Sequence, residues 1–428
     1  MKLELGKIKI DDIEFADETK VSSSTLYINK EELLELIRED SRIIDINLDI
    51  VHPGDSVRII PVKDVIEPRV KVEGEGGIFP GFIAGEDMVG SGRTNVLKGA
   101  AVVTTGDIVG FQEGIIDMSG PGADYTPFSK THNLVVDCDV KEDIKQHEHE
   151  EIIRMVGLKT ATYLGKAAVD IEPDEVEVYE HKPYLEAAAE YPDLPKVGYV
   201  YMLQSQGLLH DTYVYGVDAK EIIPTLISPT EIMDGAIISG NCVSACDKNA
   251  TYIHLNNPVI EDLYKYHGEK YNFIGVIITN ENVTLADKVR SSNYTAKLAE
   301  MIGLDAAIIS EEGFGNPDAD LIMNCTKLEE KGIKTVLITD EYAGRDGASQ
   351  SLADADPAGD AVVTAGNANE VITLPPMDRV IGHQKFADII AGGFDGSLGE
   401  DGSISVEIQA IMASTNELGF NKLTARGY

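Results

Sequence analysis

From Lys196 onward, short apolar runs alternate with amphipathic segments, and this constrains the chain more than any other feature. The runs cover residues 197–203, 235–239, 273–279, 306–310, 335–339 and 361–364; helical patterns at 294–302 and 319–331 lie among them. Strands buried on both faces read as continuous apolar runs, and helices between them imply parallel pairing. Residues 195–428 are therefore expected to form a mostly parallel, doubly wound α/β domain. In such sheets the chemistry gathers beyond the carboxyl ends of the strands. Polar residues follow the runs there: Gln204-Ser205-Gln206, Asn280-Glu281-Asn282, Glu311-Glu312-Gly313 and Asp340-Glu341.

Residues 1–190 have a different texture and are expected to form a β-rich α+β domain with long Gly-rich loops. Residues 41–61 read as strand, turn, strand around Pro53-Gly54-Asp55. A helix is expected over 30–38, with Leu33, Leu34 and Ile37 on one face, and another over 143–165. A polar, proline-punctuated stretch at 172–195 marks the boundary.

The chain has 73 acidic and 36 basic residues and a net charge of −37. Such a field repels polyphosphate and anionic bilayers, so neither nucleic acid nor a membrane is an expected partner. The N-terminus lacks a signal-peptide pattern, and no run approaches the ~20 apolar residues of a spanning helix. Four cysteines, Cys138, Cys242, Cys246 and Cys325, are too few to staple a chain of 428 residues. A cytoplasmic location with free or chemically used thiols is expected.

The run at 235–239 leads directly into Gly240-Asn241-Cys242. Glycine permits, and asparagine tolerates, strained backbone. In a dry, strained turn the Cys242 thiolate attacks the Asn241 carbonyl, moving the acyl group from nitrogen to sulfur. β-Elimination then breaks the Cys242 Cα–H and Cβ–S bonds and splits the chain. The dehydroalanine left behind becomes an imine and hydrolyses, losing ammonia, to an α-keto acyl cap. Only Cys, Ser and Thr carry a β leaving atom suited to this route. A pyruvoyl cap is a covalent carbonyl cofactor that condenses with amines. A buried cysteine that serves as a small hydrophobe is the plain alternative.

The whole chain resembles the proprotein of the α and β subunits of component B in the glycine, sarcosine and betaine reductase family. The likeness runs from Leu3-Glu4-Leu5-Gly6-Lys7 to Gly419-Phe420-Asn421-Lys422-Leu423-Thr424, through residues 62–74, 114–125, 207–216 and 240–249. The resemblance implies cleavage between Asn241 and Cys242, giving a β subunit of residues 1–241 and an α subunit of residues 242–428 that begins with the pyruvoyl group. It implies glycine reductase chemistry in amino-acid fermentation. The substrate amine forms a Schiff base, ammonia leaves, and the two-carbon unit ends as acetyl phosphate. The implied partners are a selenocysteine-containing gamma subunit, selenoprotein component A, component C and the thioredoxin system. The α and β fragments are expected to stay associated. Sarcosine or betaine as substrate remains open, as do an N-terminal-Cys amidohydrolase and an uncleaved scaffold.

Several other residues invite chemical readings. Cys246, four residues after Cys242, has no companion ligands for zinc in the sequence, so no metal or nucleotide is expected and an assisting role suits it better. Asp247 and His254 are candidates to deprotonate the Cys242 thiol or the substrate amine. Among Arg69, Arg93, Arg290 and Arg345, Arg345 lies just beyond an expected strand end and is the first choice for a substrate carboxylate. His147 and His149, two apart on a helix, are not expected to converge, and a solvated helix start is expected there. Gly313-Phe314-Gly315 lacks the rest of a dinucleotide fingerprint. Asp354, Asp356 and Asp360 lack EF-hand spacing and are expected in a helix-capping loop.

Overall fold

The computed structural model describes all residues except 208, 210–211, 241–243 and 421–428. Five of the six apolar runs enter one six-stranded sheet, numbered here in chain order: β1 (Lys196–Leu203), β2 (Thr225–Ile227), β3 (Asn272–Asn280), β4 (Ala306–Ser310), β5 (Lys334–Glu341) and β6 (Val362–Asn367). The spatial order is β2-β3-β1-β4-β5-β6. All neighbours are parallel except β2, which runs antiparallel on the edge. The whole of β3 is buried, which is why its sequence is an unbroken apolar run. On one face, Val200, Met202, Ile274 and Ile277 meet two helices, α1 (Leu285–Met301) and α2 (Asn316–Glu329). On the other, Tyr199, Tyr201 and Val276 join a core that also holds Val259, Ile260, Leu3 and Leu5.

The sixth run goes elsewhere. Ile237–Ser239 pairs antiparallel with Thr212–Val214 in a separate three-stranded sheet. Placing it in the parallel sheet mistook a short buried antiparallel strand for a parallel one, because an apolar run reports burial, not pairing direction.

The N-terminal region is β-rich, as expected. Lys2–Lys9, Arg69–Glu73, Gly92–Lys98 and Glu175–Glu180 make one sheet; Ile43–Val51, Asp64–Ile66, Ala100–Gly106 and His132–Val140 make another. The helix Lys30–Ile37 buries Leu33, Leu34 and Ile37, with Asn29 capping its first N–H groups. A longer helix covers Gln146–Gly165. At its start His147 is exposed, but His149 is buried and burial pushes it down to about 4, so that turn is only half solvated. No helix follows Asp354, Asp356 and Asp360; Asp354 and Asp356 instead accept N–H groups within their own loop. No described helix is long and apolar enough to cross a membrane.

The two regions interleave. Arg379–Gly382 adds in parallel to Val57–Val62, whose other neighbour is Gly114–Asp117. Beside this seam, fully buried Arg58 forms a two-pronged pair with Asp117 at 2.7 and 2.8 Å and donates to the Pro375 carbonyl at 2.9 Å. Burial pushes the Asp117 carboxyl up, and the guanidinium opposes that rise. Removing one partner leaves an uncompensated buried charge, which costs about 3–5 kcal/mol. Asp117→Ala is therefore expected to lower unfolding stability by that amount in a denaturant titration. Replacing Arg58 and Asp117 together by Met and Leu should restore much of the loss.

Candidate active site

The chain enters the parallel sheet at β1, moves to β3 on one side, then crosses to β4 on the other. Crossovers that diverge in this way open a crevice at the carboxyl ends of β1 and β4. Gly313 takes the turn after β4 with φ +111°, and a Cβ there would lie 2.7 Å from Gln204 Nε2, so only glycine fits. Next to it, Gly315 and Pro317 start α2, with Asp318 accepting the Gly315 N–H at 2.9 Å.

Behind this crevice the strand ends deliver acids into the interior. Glu281 follows β3, Glu311 and Glu312 follow β4, and Asp340 sits near the end of β5. Asp247 comes from the loop after the Asn241–Cys242 bond, and Glu417 from the C-terminal segment. None of these six is more than 4% exposed. Glu312 joins the elements: its carboxylate accepts the Asn249 N–H at 2.8 Å and the Gln204 N–H at 3.3 Å. Its own N–H donates to Glu281 at 3.1 Å. Asn249 Nδ2 donates to Glu417 at 2.8 Å, and Thr415 donates to Asp340 at 2.7 Å.

Many acceptors stay unmet. Both Asp247 oxygens, Asp340 Oδ1, Glu281 Oε2, Glu311 Oε1 and Glu417 Oε2 are buried without a well-placed hydrogen-bond partner, although the Cys246 thiol lies close to Asp247. Cys246 Sγ and one oxygen each from Asp247 and Asp340 lie within 4.8 Å of one another. Desolvation is the main reason these acids hold protons. It pushes Asp247 up to about 7 and Glu312 to about 8, and Asp340, Glu281, Glu311 and Glu417 well above the usual range. Buried Lys248 supplies positive charge nearby and donates to the Gly240 carbonyl at 2.5 Å. The Cys246 thiol is raised by the same burial and lies 3.0 Å from the Tyr342 hydroxyl, whose ring stacks on Phe314.

Two clefts reach this region. One, of about 170 Å³, is lined by Gln112, Gln204, Gln206, Ser244, Gly313 and Asn316. A larger one of about 440 Å³, with Ser205, Asn280, Glu281, Asn282 and Arg290 on its wall, opens beside β1 and β3.

Of the residues singled out from sequence, Asn241 and Cys242 lie outside the described residues. Cys246 and Asp247 fall within the cluster. His254 is buried on the helix Thr251–Leu255; its Nδ1 shares a 2.7 Å hydrogen bond with the Tyr201 hydroxyl, and burial pushes it down to about 3, so it is neutral. Arg345 is half exposed, bonded to Glu407 at 2.7 Å and set over the Phe394 ring. Arg69 and Arg93 pair with Glu67 and Glu4. In the sequence Glu281, Glu311, Glu312 and Asp340 stand among the polar residues at the expected strand ends with no motif to single them out, and Glu417 lies outside any such pattern. Their signal was position, an acid directly after a run buried on both faces.

A parallel sheet with a buried acid site at its order reversal defines an α/β enzyme-like architecture. The particular family follows from comparison: residues 1–426 match the glycine/sarcosine/betaine reductase component B subunits, and the chain belongs to that family. It is 70% identical, over the full length of both chains, to "Glycine reductase complex component B subunits alpha and beta" of Acetoanaerobium sticklandii. The protein of the same name from Peptoclostridium acidaminophilum is 66% identical, and that organism's "Sarcosine reductase complex component B subunit alpha" is 59% identical, both again end to end. No solved structure matches.

Each raised acid binds its proton more tightly in the folded chain than in the unfolded one. Between the ordinary value of 4.5 and the raised one, the folded state holds more protons, so stability falls as pH rises. For Glu281 this contribution is complete below about pH 4.5 and is lost as pH rises toward the raised value. Glu281→Gln removes one such group while keeping an acceptor for the Glu312 N–H. Urea unfolding between about pH 5 and 8 should then lose stability less steeply, by up to about 1.4 kcal/mol per pH unit. An unchanged slope would show that Glu281 is ionised in the folded chain.

Proposed function

We propose that this chain is the self-cleaving proprotein of the pyruvoyl-bearing subunits of a glycine reductase component B. Cleavage between Asn241 and Cys242 yields a β subunit of residues 1–241 and an α subunit of residues 242–428. The observation that carries this reading is that full-length relatives, each matching this single chain end to end, bear the name of two subunits, alpha and beta. Glycine is favoured over sarcosine by the higher identity to glycine reductase members.

The surrounding residues suit such a bond. Gly240, immediately upstream, has its carbonyl held by Lys248 and by the Ser239 hydroxyl at 3.0 Å, which restrains the backbone entering the scissile peptide. Buried carboxyl groups, with Asp247 poised near neutrality, offer both proton donors and acceptors where water is scarce. The pyruvoyl carbonyl from Cys242 supplies the electrophile that forms a Schiff base with the substrate amine. Because the chain has no selenocysteine, the reductive step falls to a selenocysteine-containing gamma subunit. Component A, component C and thioredoxin complete the path to ammonia and acetyl phosphate in the cytoplasm.

The two pieces are expected to stay together. β1 lies before the cut and is flanked by β3 and β4 from after it, while Arg379–Gly382 completes a sheet of the first piece. Intact-mass measurement of purified protein should show two fragments, the smaller lacking the sulfur and amine of Cys242. Native mass measurement should find them in one particle. Cys242→Ala should remain full length. An active, uncleaved species would refute the proposal, and a free N-terminal cysteine would point to an amidohydrolase.

A further inference from the structure

We infer that the Asp247–Asp340 pair, backed by the other buried acids, is a subsite for the primary ammonium group of a small zwitterionic substrate. The inference rests on the reading above for the identity of the amine. Its structural basis stands apart from residues 241–243.

The first observation is the set of unmet acceptors. Both oxygens of Asp247 and Oδ1 of Asp340 are buried without a well-placed donor, the Cys246 thiol and the Asp247 N–H serving Asp247 only loosely, although carboxylates this deep are normally saturated. The two side chains approach from different elements, a loop and the end of β5, and converge within 4.8 Å. A primary ammonium carries N–H donors in several directions and one positive charge, which is what these oxygens lack. The second observation is placement. The pair stands behind the order reversal of the sheet and does not itself line the 170 Å³ cleft there; the cleft wall of Gln204, Gln206, Ser244 and Asn316, neutral groups suited to a small polar molecule, connects to the acids through the Gln204 N–H on Glu312.

A divalent metal fits less well. The third group within reach is the Cys246 thiol, which burial keeps protonated beside the Tyr342 hydroxyl, whereas metal binding needs the thiolate. An ammonium needs no such deprotonation. Once bound, R–NH3⁺ passes a proton to the carboxylate of the pair, leaving R–NH2 and a carboxyl group. The nitrogen lone pair is then free, and the proton remains within reach for return.

The test is equilibrium dialysis of labelled glycine against cleaved, purified protein, with elemental analysis of the same samples. Asp340→Asn and Asp247→Asn are each expected to weaken glycine binding at least tenfold. Trimethylated glycine, equal in charge but without N–H donors, should compete poorly. Binding unchanged in both variants would overturn the inference, as would equal competition by the trimethylated compound. A stoichiometric divalent metal lost on either substitution would also overturn it. If an asparagine variant is insoluble or intact mass shows it uncut, Glu417→Gln serves as the second variant, with a smaller weakening expected and an unchanged affinity counting against the subsite. Borohydride trapping of the label on fragment 242–428 is read separately. Its failure with glycine binding intact refutes the Schiff-base chemistry and leaves the subsite standing.

Discussion

The fold depends on strand β1. It carries the hydrogen bonds of β3 on one side and β4 on the other, and it belongs to the chain before Asn241 while both neighbours come after it. Its side chains enter two different cores: Tyr199, Tyr201 and Leu203 face the N-terminal body, and Val200 and Met202 face α1 and α2. A central parallel strand has no free edge and little exposed surface, so its removal would uncover both neighbours at once. The reverse exchange, Arg379–Gly382 on Val57–Val62, closes the second seam.

The same sheet explains how so many acids come to be buried together. Parallel strands end at one edge, so whatever follows them is gathered in one place. Taking ionised carboxylates out of water costs several kcal/mol each unless they are paired. The protein meets this in part with backbone N–H groups, as at Glu312, in part with Lys248, and otherwise by holding protons. Raised carboxyl groups in a crevice are a common mark of a site that handles protons or cations. Elsewhere two buried acids are matched by strong donors: Asp64 accepts the Thr251 hydroxyl at 2.6 Å, and Arg58 holds Asp117.

How far the sequence was readable follows from what each signal measures. Apolar runs report burial, so β1, β3, β4, β5 and β6 were legible along with α1 and α2, while Ile237–Ser239 was buried but paired the other way. The helix Lys30–Ile37 was legible because its apolar spacing and its Asn29 cap agree. At 41–61 the turn and both strands were legible, but not that they join different sheets, since partner choice depends on distant residues. The acid site was half legible. Glu281, Glu312 and Asp340 follow apolar runs, whereas Glu417 reaches the cluster from a segment with no periodic pattern, held by Asn249. Arg345 had the right position in sequence, yet Glu407 and Phe394 engage its guanidinium at the surface, and only the fold could place them there.

The described residues on either side of 241–243 are tied into the body of the protein in different ways. Upstream, the Ser239 N–H donates to the Thr251 hydroxyl, and Thr251 in turn donates from its N–H and its hydroxyl to Asp64. Downstream, Asn249 is fixed at its N–H by Glu312 and at its side chain by Glu417, while Asn416 donates to the carbonyls of Asp247 and Lys248. Both anchors are buried and both lead to the sheet or to the strand Asp64–Ile66, elements that cannot shift without opening a core. In the sequence Gly240, Asn241 and Cys242 stand between them, and glycine and asparagine are poor at enforcing a regular conformation of their own. The acids that fix the downstream anchor, Glu312 and Glu417, belong to the same buried cluster as Asp247 and Asp340, so the strand ends that gather the acids also hold this segment.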